Sequence, residues 1–157
     1  MAATALHQFL QKALVPYSVV PHRPAFTAQE DAAAVHVPGR DWAKVVVCII
    51  DGRAVQAVVP APLAVNLADL LDLAGGNNIR LATEEELGRL FPDCEPGAMP
   101  PLGPLYHQRV FVDSSLTAED EIVFNAGTHN DAVCMRYEDF AAIVNPVVGV
   151  IARRVRH

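Results

Sequence analysis

The tightest constraint on the fold of this chain is a pair of β-rich runs that meet at Asp51-Gly52. The first run covers residues 42–50 and the second covers residues 54–59. A two-residue connection of this kind favours a tight hairpin turn, because both positions need a positive φ and Asp and Gly tolerate one. The sequence therefore predicts two antiparallel strands in the first half of the chain.

Helix signals occur on both sides of this hairpin. Apolar residues at helical spacing predict a helix over residues 4–14. Capping boxes begin at Thr27 and at Thr83, and each one predicts the start of a helix. Asn66 is a suitable cap for a helix that ends at Gly75-Gly76. A last short helix is expected over residues 138–144, where Asn145-Pro146 follows.

The remaining β-rich segments complete a mixed pattern. Strands are predicted over residues 17–20, 79–82, 106–112, 121–125 and 132–136, and residues 146–151 form either a strand or a docking arm. The order is not a strict βαβ alternation, so a doubly wound parallel sheet is not expected. We expect one α+β domain over residues 1–157, with a mixed, mostly antiparallel sheet or a partly closed barrel flanked by helices.

Composition narrows the class of protein. An apolar share of 52% and a charged share of 19% suit a folded chain rather than a disordered one. The apolar runs are too short to span a bilayer, and the N-terminus lacks the features of a signal peptide. Three widely separated cysteines favour a reducing cytoplasm. The six histidines have no metal-ligand spacing, so we expect neither a metal nor a cofactor.

The net charge of −6 argues against broad, non-specific binding of nucleic acid, which needs many cations on phosphates. A local basic patch could still dock one end of a nucleic acid. Arg40 with Lys44 is one candidate, and residues 153–157 are another. By itself, this tail is explained more simply as a solvated C-terminus.

Lys44 is the first residue that could carry chemistry. It opens the otherwise apolar run 44–50. A lysine at this position is either an edge charge that blocks aggregation or a cation directed into a cleft. Without other information, the edge charge is the simpler interpretation.

The segment 97–103 is the second such feature, with the sequence Gly-Ala-Met-Pro-Pro-Leu-Gly. Its two prolines favour an extended backbone, and a glycine at each end permits a close approach or a positive φ. The loop could present the N–H groups of Gly97, Ala98 and Met99 to an oxygen or a carboxyl-like group. The alternative is a plain proline-rich connection.

Together these features resemble the YbaK/ProX family of aminoacyl-tRNA deacylases, which is related to the editing insertion of bacterial prolyl-tRNA synthetases. The resemblance extends from about residue 17 to residue 142. The matching segments, in order, are His22 with Ala25-Phe26-Thr27, residues 43–47, Asp51-Gly52, residues 57–60, 80–82 and 85–87, Gly97-x-x-x-Pro101, residues 112–116 and Asn125-Ala126-Gly127.

The resemblance implies a set of site residues. Members of the family hydrolyse the ester between an incorrect amino acid and the 3′ end of tRNA. Lys44 would be the central functional lysine, and the loop from Gly97 to Pro101 would hold the aminoacyl group. Gly127 and His129 would line the pocket. An equal alternative for His129 is a structural role, as a loop histidine whose hydrogen bonds are made within the protein. Phe26 would lie near the substrate, with a core phenylalanine as its alternative.

Two positions depart from the family pattern. Many members have Phe where this chain has Leu102, and some have Thr where this chain has Val45. Both changes affect the expected pocket, so the identity of the substrate does not transfer from any one member.

The implied chemistry is direct attack of water on the ester carbonyl. Lys44 would hold the terminal phosphate or sugar, or would stabilise the developing negative charge. No convincing protein nucleophile is evident. Ser114-Ser115 beside Asp113 is typical of a turn cap, although a triad could still assemble in three dimensions. If Cys94 were the nucleophile, alkylation of its thiol would abolish activity, and we expect that it does not.

The expected partners are the 3′ end of a mischarged tRNA and an aminoacyl-tRNA synthetase, and a membrane is not among them. Two other classes of function stay open at this point. One is a binding module for aminoacyl-tRNA or a synthetase, without turnover. The other is a hydrolase of another small ester.

Overall fold

The computed structural model describes residues 2–21 and 42–155. Phe26, the helix predicted from Thr27 and the basic residue Arg40 therefore lie outside the described residues. The described helices are α1 (Ala2–Ala13), α2 (Leu67–Ala74), α3 (Glu84–Leu90) and α4 (Tyr137–Val144), with 3-10 turns at Gly103–Tyr106 and Ser114–Ala118. None of these helices is long and apolar enough to cross a membrane.

The described residues also form ten strands. They are β1 (Tyr17–Pro21), β2 (Ala43–Ile50), β3 (Arg53–Pro60), β4 (Leu63–Val65), β5 (Ile79–Leu81), β6 (Arg109–Asp113), β7 (Glu121–Asn125), β8 (Asp131–Arg136), β9 (Val147–Gly149) and β10 (Ala152–Arg154).

The strands form three sheets. The largest has the order β5-β2-β3-β6-β9, with antiparallel pairs around β2 and parallel pairs on either side of β6. A three-stranded antiparallel sheet has the order β1-β8-β7, and β10 pairs with β4. A bridge between Trp42 and Val123 connects the two larger sheets. The predicted α+β class is confirmed, and within the described residues the sheets stay open, so the barrel alternative is not adopted.

The predicted hairpin is confirmed at Asp51-Gly52. The φ angles of Asp51 and Gly52 are 49° and 83°, and the ladder places Ile50 opposite Arg53. The Asp51 carboxylate also accepts hydrogen bonds from the backbone N–H groups of Asn77 and Asn78, at distances from 2.9 to 3.2 Å. The turn residue therefore also fastens the segment that leads into β5.

The caps of α2 and α3 are formed by the side chains that the sequence predicts. The Asn66 side chain accepts a hydrogen bond from the backbone N–H of Asp69, and Gly75 ends α2 with a φ of 72°. Thr83 and Glu86 form both hydrogen bonds of the capping box of α3. Such a cap is worth about 1 kcal/mol, because it satisfies backbone N–H groups that lack helical partners.

Beyond shifts of one or two residues, three elements differ from the prediction, and the first of them is β4, a strand that the sequence does not predict. The strand expected from residue 106 begins at Arg109, because Gly103–Tyr106 forms a 3-10 turn and His107 follows with a φ of 55°. The start of the C-terminal tail, for which a solvated terminus is the simpler prediction, forms the strand β10 beside a fully buried Ile151. A strand of three residues is too short for a periodic pattern to reveal it.

The two faces of the largest sheet carry different cores. Side chains alternate along β2, so Val46 and Cys48 leave it on one side and Val45 and Val47 on the other. The first side packs under α2 with buried Val59, Leu70, Phe111 and Ile151. On the second side, Val47 packs with Phe91 and Met99. This alternation places Lys44 on the α2 side of the sheet.

Candidate functional site

Lys44 lies at an open stretch of β2. Its strand pairs with β3 on one side, where Lys44 faces Val59. On the other side β5 pairs only with residues 48–50, so residues 44–46 have no partner strand there within the described ranges. Lys44 combines features of both interpretations, because it lies at a local edge and also lines a cavity.

The cavity beside Lys44 has a volume of about 530 Å³. It is lined by Lys44, Val46, Ala64, Val65, Asn66, Leu67, Leu81 and Arg153. The Lys44 side chain is half-buried, and this burial lowers its pKa, since a desolvated ammonium is less stable than its neutral form. Neither Lys44 nor Arg153 forms an ion pair with any residue that the structure describes.

The loop from Gly97 to Pro101 packs tightly against the sheet. Gly97 has a φ of 80°, while Ala98, Met99, Pro100 and Pro101 are buried. The backbone N–H of Ala98 donates to the carbonyl oxygen of Glu95 at 3.0 Å. Of the three N–H groups expected to face a substrate, the one at Ala98 is therefore occupied within the turn.

Gly127 and His129 fasten this loop in place. The N–H of Glu95 donates to the carbonyl oxygen of Gly127 at 2.8 Å, and the N–H of Gly127 donates to the carbonyl oxygen of Ala98 at 2.9 Å. Nε2 of His129 lies 2.7 Å from the carbonyl oxygen of Pro96. A carbonyl can only accept, so Nε2 carries the proton in this contact. The buried His129 side chain thus holds the loop, and its role towards a substrate stays a prediction.

Gln56 also contacts this loop, although the sequence motifs do not single it out. It lies in the middle of β3, is fully buried, and its Nε2 donates to the carbonyl oxygen of Pro100 at 3.3 Å. The sequence does contain one indication of this contact, because Gln56 is an amide side chain inside the apolar run 54–59. A buried amide needs a hydrogen-bond partner, so it could have been expected to bind a buried loop.

The structure brings together some of the predicted site residues and not others. The loop from Gly97 to Pro101, Gly127 and His129 form one connected unit. Lys44 leaves β2 on the opposite face from Val45 and Val47, and Val47 packs against Met99. The lysine and the loop thus flank the open edge of a single strand. Phe26 lies outside the described residues.

A smaller cavity of about 280 Å³ separates the loop from α3. Its lining residues are Glu84, Leu87, Gly88, Phe91, Cys94, Glu95, Pro96 and Met99. Burial raises the pKa of the Cys94 thiol, the hydrogen bond with Tyr106 opposes this shift, and Asp93 adds to it. A thiol with a raised pKa is a poor nucleophile, because the thiolate is the reactive form.

Ser115 is engaged in a turn. Its hydroxyl and its backbone N–H both donate to the Asp113 carboxylate. The prediction that Ser114-Ser115 beside Asp113 serves as a turn cap is confirmed. Among the described residues, no three His, Cys, Asp or Glu side chains are grouped so that they could hold a metal ion.

Comparison with solved structures defines the class of fold. The crystal structure of the hypothetical protein APE2540 superposes with a TM-score of 0.86 at 19% identity, covering 95% of this chain and 99% of that chain. A structure described as a "putative trans-editing enzyme for prolyl tRNA synthetase" superposes with a TM-score of 0.83 at 23% identity, covering 97% of each chain. At these identities the similarity shows the fold alone.

The family follows from the sequence. The family model described as "Aminoacyl-tRNA editing domain" matches residues 22–143, and this chain belongs to that family. A curated relative, the "Multifunctional Ser/Thr-tRNA deacylase ProXp-y" of Escherichia coli K12, is 37% identical over 111 residues. That match covers 66% of this chain and 65% of the relative, so about a third of the relative's length lies outside it. The predicted resemblance is thereby confirmed.

Proposed function

We propose that this chain is an aminoacyl-tRNA deacylase, which hydrolyses the ester of a mischarged tRNA. The observation that carries the proposal is the unit formed by the loop from Gly97 to Pro101, Gly127 and His129, in a chain of the editing-domain family. Backbone hydrogen bonds and a buried histidine hold this loop in one conformation. A rigid loop is suited to positioning an ester, since its polar groups need no reorganisation during the reaction.

The reaction we propose is attack by water, without a covalent intermediate. The water oxygen forms a bond to the carbonyl carbon, the ester C–O bond breaks, and a proton passes to the leaving ribose oxygen. The thiol of Cys94 has a raised pKa, so little of it is present as the reactive thiolate. The hydroxyl of Ser115 donates to Asp113, but this carboxylate also accepts from Ile151 and Ala152 and has a lowered pKa, which makes it a weak base for activating a nucleophile. Nε2 of His129 is committed to Pro96, which favours a positioning role for this histidine.

For Lys44 we propose a role in binding the terminal phosphate or sugar. Of the two roles that the sequence leaves open, this one suits a side chain on the opposite face of β2 from the loop. The acyl group would then lie at the loop, and the end of the tRNA would cross the open edge of β2 at residues 44–46.

The substrates we propose to test first are tRNAs that carry serine or threonine, because the curated relative is named as a Ser/Thr-tRNA deacylase. The proposed partner is the 3′ end of tRNA, and a synthetase could supply the basic surface that a chain of net charge −6 lacks. We place the activity in the cytoplasm, where charged tRNA is used, and the three free thiols suit that compartment.

The decisive experiment is deacylation of a panel of tRNAs mischarged with Ala, Ser, Thr or Cys. The wild-type chain should release amino acid from one or two of them, and Lys44→Ala should lose most of this activity. If the chain binds these tRNAs but hydrolyses none of them, the proposed deacylase activity is rejected and a binding module is favoured. Equal hydrolysis of free aminoacyl esters would instead favour a general esterase.

A further inference from the structure

The cavity beside Lys44 contains a second cation, Arg153, which comes from β10 at the other end of the chain. We propose that Lys44 and Arg153 together bind a phosphodiester group near the 3′ end of the tRNA. The inference rests on the proposed function, and it adds a binding residue that lies beyond the segment matched by the editing-domain family.

Strand pairing fixes the position of Arg153. In the ladder between β10 and β4, Arg153 lies opposite Ala64. The backbone N–H of Asn66 donates to the carbonyl oxygen of Ile151 at 2.7 Å, which anchors the chain just before β10. Arg153 is therefore held beside the residues that form one wall of the Lys44 cavity, although its side chain remains exposed.

The charges in this cavity suit an anion. Among the residues that the structure describes, the cavity lining includes two cations and no carboxylate. A half-buried lysine that has no counter-charge among the described residues is unfavourable, and a phosphodiester with one negative charge would offset its lost hydration. Arginine adds two parallel donors to phosphate oxygens, which a lysine cannot do. The volume of about 530 Å³ lies within the range of small-ligand sites and leaves room for a nucleotide.

Arg154 provides a matched control. It is the next residue of β10, it is exposed like Arg153, and it does not line the cavity. Arg153→Gln and Arg154→Gln therefore remove the same charge from adjacent positions. If attraction between the whole protein and RNA were the only effect, both variants would lose the same affinity.

The test is a titration of each protein with the dinucleotide CpA, which has one phosphodiester, and with adenosine, which has none. Binding is followed through the NMR signal of ¹³C-labelled Lys44. We expect CpA to bind more tightly than adenosine, Arg153→Gln to weaken CpA binding about tenfold, and Arg154→Gln to leave it nearly unchanged.

In the binding experiment, two results would overturn the inference: equal effects of the two arginine variants, or equal affinity for CpA and adenosine. Neither result depends on turnover. A chain that binds CpA through Arg153 but hydrolyses no mischarged tRNA would reject the proposed function and keep the phosphate site. Deacylation that is equally fast in both arginine variants, with equal Michaelis constants, would keep the function and reject the site.

Discussion

Oδ1 of Asp113 accepts a hydrogen bond from the backbone N–H of Ile151 at 2.9 Å, so the end of β6 is joined to the start of β10. The same oxygen accepts from the N–H of Ala152, also at 2.9 Å, while Oδ2 accepts from Ser115. Asp113 is only 4% exposed. One carboxylate therefore satisfies backbone donors from two segments that are far apart in the sequence, and it fixes the strand that carries Arg153.

Asp113→Ala should destabilise the protein strongly. The substitution leaves the N–H groups of Ile151 and Ala152 without their acceptor, in a region where Ile151 is fully buried. We expect the free energy of unfolding to decrease by about 3 kcal/mol, as is typical when a buried charged partner is removed. Urea denaturation of wild type and variant measures this decrease in the free energy of unfolding. Asp93→Ala, at an exposed position, is the control, and an equal loss in both variants would contradict the role of Asp113.

The stabilisation by Asp113 should depend on pH. Burial acts to raise the pKa of this carboxyl, but hydrogen bonds from Ser115, Ile151 and Ala152 outweigh it and lower the pKa below its ordinary value. A pKa that is lower in the folded state gives stability that is present above the unfolded value of about 4 and is lost as the pH decreases towards the folded value. The difference in unfolding free energy between wild type and Asp113→Ala should shrink below about pH 4. A constant difference down to pH 2.5 would contradict this.

The local elements could be predicted because their causes are local. The Asp51-Gly52 turn, the Thr83 capping box and the Asn66 cap each depend on a few adjacent residues, and the structure has all three. The strand β10 could not be predicted, because it depends on Asp113, which lies 38 residues before Ile151. Sequence patterns report local preference and periodicity, and neither includes a contact of this length.

The site was predictable in part for the same reason. The glycines and prolines of the loop from Gly97 to Pro101 indicate an ordered segment, and the structure shows one. The bond from Gln56 to Pro100 and the separation of Lys44 from the loop across β2 are products of the tertiary fold. Strand alternation does place Lys44 and Val45 on opposite faces, but only the packing shows which face the loop covers.

Gln56→Leu should loosen the loop while leaving the fold intact. Leucine fills a similar volume but cannot donate to the carbonyl oxygen of Pro100. Removal of one neutral hydrogen bond should lower the free energy of unfolding by about 1 kcal/mol. Hydrogen exchange at the Ala98 and Met99 amides should become faster, and deacylation should slow. Gln11→Leu, on an exposed face of α1, is the control, and unchanged exchange in Gln56→Leu would argue against anchoring by Gln56.

Two glycines should respond to alanine in opposite directions. A methyl group at Gly103 would overlap the carbonyl oxygen of Gln108 and the Val110 side chain. Backbone cannot move aside cheaply, so Gly103→Ala should lower the free energy of unfolding by about 2 kcal/mol or more. Gly88 lies within α3 with open space around it, so Gly88→Ala should raise stability by about 0.5–1 kcal/mol. Thermal denaturation distinguishes the two, and similar melting temperatures would contradict the packing at Gly103.

Lys44 should lose its proton at a lower pH than a fully exposed lysine side chain does. Burial lowers the pKa of Lys44 from its ordinary value, so its positive charge disappears earlier as the pH rises. The chemical shift of ¹³C-labelled Lys44 between pH 7 and about 11 reports this titration, and the variant Lys12→Arg identifies the signal of Lys44. If Lys44 binds phosphate as a cation, CpA affinity should decrease along the same curve. In Lys44→Arg this decrease should move to higher pH, because a guanidinium stays charged. The same decrease in Lys44→Arg as in wild type would show that another group controls binding.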